Sequence, residues 1–214
     1  MTETTDYEHS ALVHPATMNL TPESKVLVQG ITQPQGSYHA ARMKAYGTNV
    51  VAGVSAGHGG QNVHDIPVFD LVEQAHDQLG PFEATVIFVE SYWALDAALE
   101  AIDAGIPQIV LVTGGIPPLD MVKLLRKAEV TGTVVVGPSS SGIIVPGKFF
   151  LGTQETGFYT PGSVGLITHA GSLTYEVALT LTQAKLGQSI VNQPWHRCDS
   201  WFFFSSVAKG FSKG

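Results

Sequence analysis

Cys198 is the only cysteine in 214 residues, so an internal disulfide and a cysteine-based zinc set are both excluded, and a reducing, cytoplasmic setting is expected. Basic residues are scarce as well. Eleven Lys and Arg stand against eighteen Asp and Glu, for a formal charge of -7, and no basic block is present to neutralise a phosphate backbone, which excludes nucleic acid as a partner class. The apolar runs are too short to span a bilayer. Residues 1–23 hold no Lys or Arg, unlike a secretory signal or an arginine-rich transit peptide, and are expected to form a mobile leader. The pair His58 and His64 lacks zinc-like spacing, so no metal site is expected. No Ser-His-Asp arrangement is visible either.

What is present is alternation. "KVLVQGI" is a short apolar run that leads into the helix-compatible "QGSYHAARMKAYG", closed by Gly47. "NVVAGV" follows as a β-branched strand, then a glycine-rich loop, then the helical "DLVEQAHDQLG" with Asp70 as its expected N-cap. "ATVIFVE", "WALDAALEAIDAGI", "QIVLVT", "PLDMVKLLRKAEV" and "GTVVVG" continue the rhythm. Strand-helix alternation of this kind gives an α/β fold: a parallel sheet with helices on both faces, spanning 24–140. Residues 141–162 are rich in Gly, Pro and Ser and read as a linker. Then "SVGLITH" and a helix of about five turns, "AGSLTYEVALTLTQAKLG", restart the pattern over 163–190. This looks like a second domain that stops after one β-α unit.

In a doubly wound sheet, ligands sit beyond the strand carboxyl ends, in the loops that open the helices. Four such loops are rich in Gly, Ser or Thr. "QGITQPQGSY" carries Gly30 and Gly36 in a Gly-x5-Gly spacing, not a dinucleotide fingerprint, and Pro34 has no N–H to donate. A phosphate loop and a tight turn both fit it. "GVSAGHGGQ" places His58 among three glycines. "VTGGIPPLD" offers Thr113 and two glycines before a helix with Pro117 in its first turn, as a ligand loop or a simple N-cap. "THAGSLTYE" sets Thr168 to Ser172 ahead of a long helix, a place suited to an anion, with Tyr175 one turn in, facing ligand or core. The residues alone indicate a binder of a phosphorylated ligand. A nicotinamide dinucleotide is disfavoured, because "NVVAGVS" ends without the acidic ribose partner.

Taken together, "QGITQPQGSYHAARMKAYGTNVVAGVSAGHGGQNVHDIPVFD", "EAIDAGIP", "GIPPLDM", "PGKFFLG" and "PGSVGLITHAGSLTYE" resemble the alpha subunit of succinate–CoA ligase, of the NDP-forming acyl-CoA synthetase superfamily. The resemblance runs from about Lys25 to Gln188. It implies a Rossmann-like CoA-binding domain followed by a flavodoxin-like domain with a phosphorylated histidine, here incomplete. It implies CoA as cofactor, and Mg with ADP or GDP reached through a beta subunit as partner. The CoA-binding segment falls on Thr32, Gln33, Pro34 and Gln35, of which Thr32 and Gln35 match the family. A CoA-contacting lysine falls on His58, mostly neutral near pH 7. The segment Val112, Thr113, Gly114 replaces a family Thr-Glu by Thr-Gly, and "GPSSSG" replaces Gly-Pro-Asn-Cys-Pro-Gly. The family's Ser-Arg-Ser-Gly becomes Thr168 to Gly171, losing a fixed positive charge. Gly171, Ser172 and Tyr175 are the implied substrate and phosphate contacts. No catalytic residue is carried over: none of the eight histidines, His169 and His196 included, stands in the Gly-His-Ala-Gly context of the phosphohistidine. The resemblance therefore leaves two functions in view, a truncated ligase subunit that is itself inactive and a non-catalytic CoA- or nucleotide-binding module.

The tail "VNQPWHRCDSWFFFSSVAKGFSKG" breaks with the family pattern. Tryptophan is encoded only by TGG, so reading one base later turns Trp195 and Trp201 into obligatory glycines at the separation of two glycines in the family motif. The shifted tail reads "NLGTDAILGSSFPQWLKGF". Residues 191–214 are accordingly expected to be out-of-frame translation, which the coding DNA after the codon for Ser189 decides.

Overall fold

The computed structural model describes residues 20–169 and 171–192. Six strands of its larger sheet are parallel: β1 (Val26–Gln29), β2 (Val50–Val54), β4 (Ile66–Phe69), β5 (Ala84–Ile87), β6 (Gln108–Leu111) and β7 (Val134–Val136). The short β3 (Asn62–Val63) adds an antiparallel edge, giving the order β3-β4-β2-β1-β5-β6-β7. Counting only parallel strands, this is the doubly wound 3-2-1-4-5-6 order, whose reversal lies between β1 and β5. The expected α/β class and Rossmann-like sheet are as found.

Every residue of β1, β5 and β6 is buried. One face of the sheet is covered by α2 (Val72–Leu79), α3 (Ala94–Asp103) and α4 (Pro118–Thr131), around Leu27, Ile87, Ile109 and Leu111. The other face carries α1 (Pro34–Tyr46), through Ala40 and Met43. Helix α1 stops on Gly47, in the left-handed region at φ +119, as its position in the sequence predicts. Asp70 does not cap α2. Its Oδ1 instead accepts from the N–H of Gly59 at 2.9 Å, and the first-turn N–H of Val72 is taken by Glu100 Oε1 at 2.7 Å. A long-range carboxylate, Glu100, thus does the work expected of the local one.

The segment 141–162 is not a linker. It forms the hairpin β8 (Gly142–Val145) and β9 (Phe149–Gly152), with all eight residues buried, then a 3-10 turn at Thr156–Phe158 and the start of β10 (Pro161–Ile167). Gly147 makes the hairpin turn, and Gly142 and Gly152, paired across the hairpin, take positive φ as it does. Nor does the second unit stop after one β-α step. Strand β10, helix α5 (Gly171–Gln183) and β11 (Gln188–Asn192) make a parallel β-α-β unit, and β11 pairs with β8, giving the order β10-β11-β8-β9. Helix α5 is 13 residues, shorter than the five turns expected. Among the described residues β10 is an edge strand of this sheet, and Leu173 and Val177 of α5 are exposed.

The second sheet sits against α1. Phe149, Phe150 and Leu151 join the core of Val26, Val28 and Met43, and Arg42 holds Glu155 through two bonds of 2.9 and 3.0 Å. Of the expected leader, residues 1–19 lie outside the described residues. Its last four are tied down: Leu20 packs on the core and the Glu23 carbonyl accepts from Asn49 at 2.9 Å. Of the expected out-of-frame tail, Val191 and Asn192 complete β11, and residues 193–214, with Cys198, lie outside the described residues. No helix among the described residues is long and apolar enough to cross a membrane.

Candidate functional site

Strand β1 runs directly into Gly30, at φ +77, whose N–H donates to the Val54 carbonyl at 2.8 Å. The chain turns back through Gln33, whose N–H donates to the Gly30 carbonyl at 3.0 Å, and α1 begins with Pro34. Proline suits this first helical position, since its missing N–H is one a helix leaves unpaired. Gln33 is the N-cap without a side-chain cap bond, so the donors at this end fall to the N–H groups of Gln35 and Gly36. Gly36 lies inside the helix, where a Cβ would fall 2.1 Å from the Gly30 carbonyl oxygen.

The neighbouring loops are stitched to this turn. Thr32 Oγ1 and Ser55 Oγ lie 2.6 Å apart, joining the ends of β1 and β2; Ser55 stands where a dinucleotide fold has its acidic residue. Ser55 also anchors the His58 turn, its carbonyl accepting from the His58 N–H at 3.1 Å. His58 is exposed, and its Nδ1 faces the Ala56 carbonyl at 3.1 Å, which makes Nδ1 the protonated nitrogen and turns Nε2 to solvent. On the other side of Gly30, the Val89 carbonyl accepts from Thr113 Oγ1 at 2.5 Å. Thr113 is therefore not a helix cap; α4 starts at Pro118, with Pro117 before it. The Thr113 carbonyl accepts from the Ser139 N–H at 3.0 Å, and Ser139 Oγ fills the place a Gly114 side chain would need.

These contacts run from His58 through Thr32, Val89 and Thr113 to a cavity of about 520 Å³. Val112, Gly171, Ser172 and Tyr175 line it. So do Ser139, Ser140, Ser141 and Thr153, which sequence reasoning did not select. The three serines stand in "GPSSSG" at the carboxyl end of β7, which supplies three hydroxyls. None of the described lining residues carries a charge, so an anion here depends on hydroxyls and on the N-terminus of α5. Thr168 Oγ1, at the end of β10, and Thr174 Oγ1, in the first turns of α5, lie 2.7 Å apart and fix that end. Tyr175 faces both ways, lining the cavity while its ring packs on Phe158 at 5.2 Å and Tyr159 at 6.2 Å. The Tyr159 hydroxyl donates to Gln154 Oε1 at 2.7 Å, and burial pushes its phenol well above the usual range. A second hollow, about 430 Å³, opens beside Gly59, Gly60 and Asp70 and includes none of the expected site residues.

Beneath the rim, His39 on α1 stacks on Phe88 at 5.7 Å and 3°. Its Nδ1 is buried without a partner among the described residues, and burial, assisted by Arg42, pulls its pKa below the usual imidazole value. The folded state thus resists protonating His39 more than the unfolded chain does. Its contribution to stability is full above about pH 6.5 and is lost as pH falls from there through the lower folded pKa. Glu100, whose carboxyl burial raises, acts in the opposite sense at more acidic pH. The His39→Phe variant is expected to lose less stability than the parent between pH 7 and 5 in urea melts; parallel profiles would remove His39 from the account.

A family model described as a CoA binding domain matches residues 21–115. The chain is 46% identical over 168 residues to succinate–CoA ligase (ADP-forming) subunit alpha 2 of Archaeoglobus fulgidus, covering 78% of this chain and 58% of the relative. The alpha subunit of the same ligase from Aquifex aeolicus is 44% identical over 169 residues, covering 78% and 55%. The malate–CoA ligase alpha subunit of Methylorubrum extorquens is 42% identical over 171 residues, covering 78% and 57%. The chain spans a little over half the length of these relatives. Among solved structures, Methanosaeta concilii ATP citrate lyase in complex with (3S)-citryl-CoA superposes with a TM-score of 0.75 at 16% identity, over 88% of this chain and 34% of that one. The dinucleotide-forming acetyl-coenzyme A synthetase 1 of Ca. Korarchaeum cryptofilum, in its apo form, gives 0.67 at 19% identity, over 80% and 38%. At such identities these two establish the fold.

Proposed function

We propose that this chain is an alpha-type subunit of the succinate–CoA ligase family and holds coenzyme A along the rim from α1 to the Tyr175 cavity, in a cytoplasmic assembly with a beta subunit. The observation that carries the reading is convergence: Val112 from the first sheet and Gly171, Ser172 and Tyr175 from the second unit line one cavity, next to the stitched loops of Thr32 and Thr113. Thr32, Gln33, Pro34 and Gln35 would hold the cofactor's pyrophosphate at the N-terminus of α1. Val112, Thr113 and Gly114 would flank the pantetheine arm. The hydroxyl-lined cavity suits its reactive end, and the N-terminus of α5 suits a phosphate or carboxylate. Coenzyme A, when bound, supplies the thiol that carries an acyl group. The chain's own residues bind and orient it; Mg and ADP or GDP would come through the beta subunit.

The site's neutrality shapes the prediction. With no charged side chain among the described residues lining the cavity, CoA is held by neutral donors and helix ends, and micromolar to millimolar affinity is expected. Calorimetry with CoA should give a one-site isotherm; no heat at millimolar CoA sinks the proposal. A non-catalytic CoA-binding module is the second reading, favoured by the same neutral lining and by the lack of a histidine in a Gly-His-Ala-Gly context among the 214 residues. Mixed with a beta subunit, succinate, Mg, CoA and ATP or GTP, the 214-residue polypeptide is expected to form no succinyl-CoA. Succinate-dependent thioester formation would show a phosphate route that does not need that histidine.

A further inference from the structure

His39 is half-buried in the middle of α1, and its two ring nitrogens differ. Nδ1 is enclosed without a partner among the described residues, whereas Nε2 is not enclosed and makes no hydrogen bond among them. Burial, with Arg42 beside it, keeps the ring neutral near pH 7, so it carries one proton; the opposing charge of Glu155 does not offset this. A buried N–H without an acceptor is the rarer orphan, which assigns the proton to Nε2 and leaves one fixed donor turned outward. The ring stacks on Phe88 at 5.7 Å and 3°. Phe88 follows directly on β5, and its N–H donates to the Gln29 carbonyl, at the end of β1, at 3.0 Å. In the order β1-β5-β6, β5 separates the turn before α1 from the loop of Val112 and Thr113. His39 therefore lies over the strand end between them. Along α1 it shares a face with Gln35, four residues before, and Arg42, three residues after. Gln35 stands at the helix N-terminus, and Arg42 donates to the Gln154 carbonyl at 3.3 Å, one residue past Thr153 of the cavity wall.

We infer that His39 is a binding residue for the pantetheine arm of coenzyme A, its Nε2–H donating to an amide carbonyl of the arm where the arm crosses the end of β5; this rests on the CoA reading above. A ligand with its pyrophosphate at α1 and its thiol end in the Tyr175 cavity has to pass from the end of β1 to the end of β6, and β5 lies between. The arm is a flexible, uncharged chain whose strongest acceptors are its two amide carbonyls. A neutral N–H matches such an acceptor without the desolvation cost of a charge. The stack on Phe88 holds the ring, so the donor is in place before the ligand arrives.

The test uses the full chain, with His39→Phe and His39→Gln titrated calorimetrically against CoA, 4′-phosphopantetheine and adenosine 3′,5′-bisphosphate. Phenylalanine keeps a ring on Phe88 and removes the donor, so CoA and phosphopantetheine should bind about fivefold more weakly and the bisphosphate unchanged. Glutamine carries an amide N–H where the imidazole Nε2–H stands, and should restore most of the loss. In the parent chain, nitrogen-15 spectra of the histidines should show His39 as the Nε2–H tautomer, shifted by CoA and not by the bisphosphate. The Nδ1–H tautomer, or no shift with CoA, overturns the assignment without any variant. Unchanged CoA affinity in His39→Phe overturns it and leaves the CoA reading standing. An equal loss for all three probes overturns it by showing a displaced α1, and so does a glutamine variant as weak as the phenylalanine one. Absence of CoA binding by the parent chain overturns the CoA reading itself, and this assignment with it.

Discussion

Gly36→Ala is expected to destabilise the protein by about 3 kcal/mol and to abolish CoA binding, against the usual sign of this substitution. Within a helix, alanine normally gains roughly 0.5–1 kcal/mol over glycine, because glycine loses more backbone entropy on folding. Gly36 is helical and buried, so local propensity favours the change. Packing opposes it by more. A Cβ would stand 2.1 Å from the Gly30 carbonyl oxygen, 2.9 Å from its carbon and 3.2 Å from the Ile31 Cα. All three are backbone atoms, so no rotamer change relieves the overlap. Helix α1 would have to lift from the turn by roughly 1 Å to restore ordinary contact distances. The lift would drag Ala40 and Met43 out of register with the core and move the donors at Gln35 away from the ligand. Urea melts and CoA calorimetry on the variant check both arms. A variant as stable as the parent would mean that α1 is not seated on the Gly30 turn.

The same residue shows what the sequence made legible. Gly30 and Gly36 stood out by type and spacing, and alternation of short apolar runs with helical stretches led directly to the larger sheet, since strands buried on both faces read as unbroken Val, Ile and Leu. What the spacing could not separate was a phosphate loop from a close helix-to-turn packing; Gly36 serves the packing, and the loop's proposed ligand role rests on its neighbours. Turn chemistry defeated the reading elsewhere. His64 and Asp65 both take positive φ between β3 and β4, without the glycine that marks a hairpin of this kind, so the strands were hidden inside a glycine-rich loop. Residues 141–162 failed the other way: Gly, Pro and Ser suggested a linker although "GIIV" and "FFLG" are each long enough for a buried strand. Asp70 was legible as a helix-proximal carboxylate, but its partner, the Gly59 N–H, is 11 residues back and invisible to a capping rule. Site residues contributed by long-range contact, Ser139 to Ser141 and Thr153, were missed for the same reason.

That misread segment carries the other large prediction: Phe150→Ala is expected to cost about 3–5 kcal/mol. Phe150 is fully buried in β9 and meets the Tyr46 ring edge-on at 5.5 Å. Its backbone is clamped to the end of α1, where Thr48 Oγ1 donates to the Phe150 carbonyl at 2.7 Å and accepts from the Phe150 N–H at 3.1 Å. Nearby, the Gly147 N–H donates to the Tyr46 hydroxyl at 2.8 Å. Removing the ring leaves a void bounded by both sheets, and neither wall collapses easily while the Thr48 clamp holds them in register. One core therefore serves both units, and the loss should lower a single cooperative transition for the whole chain. A second sheet hung on a flexible linker predicts something different: two transitions, the first sheet's unmoved by Phe150→Ala. Thr48→Ala refines the test, because it leaves the core volume of the ring intact and removes a buried bond at each of the Phe150 N–H and carbonyl groups, at a cost of roughly 1–3 kcal/mol. If the two losses fall on the same transition, the hairpin is part of the scaffold that sets Thr153 and Ser141 against the loops of the first sheet, and the cavity at Tyr175 exists only because the two sheets fold as one.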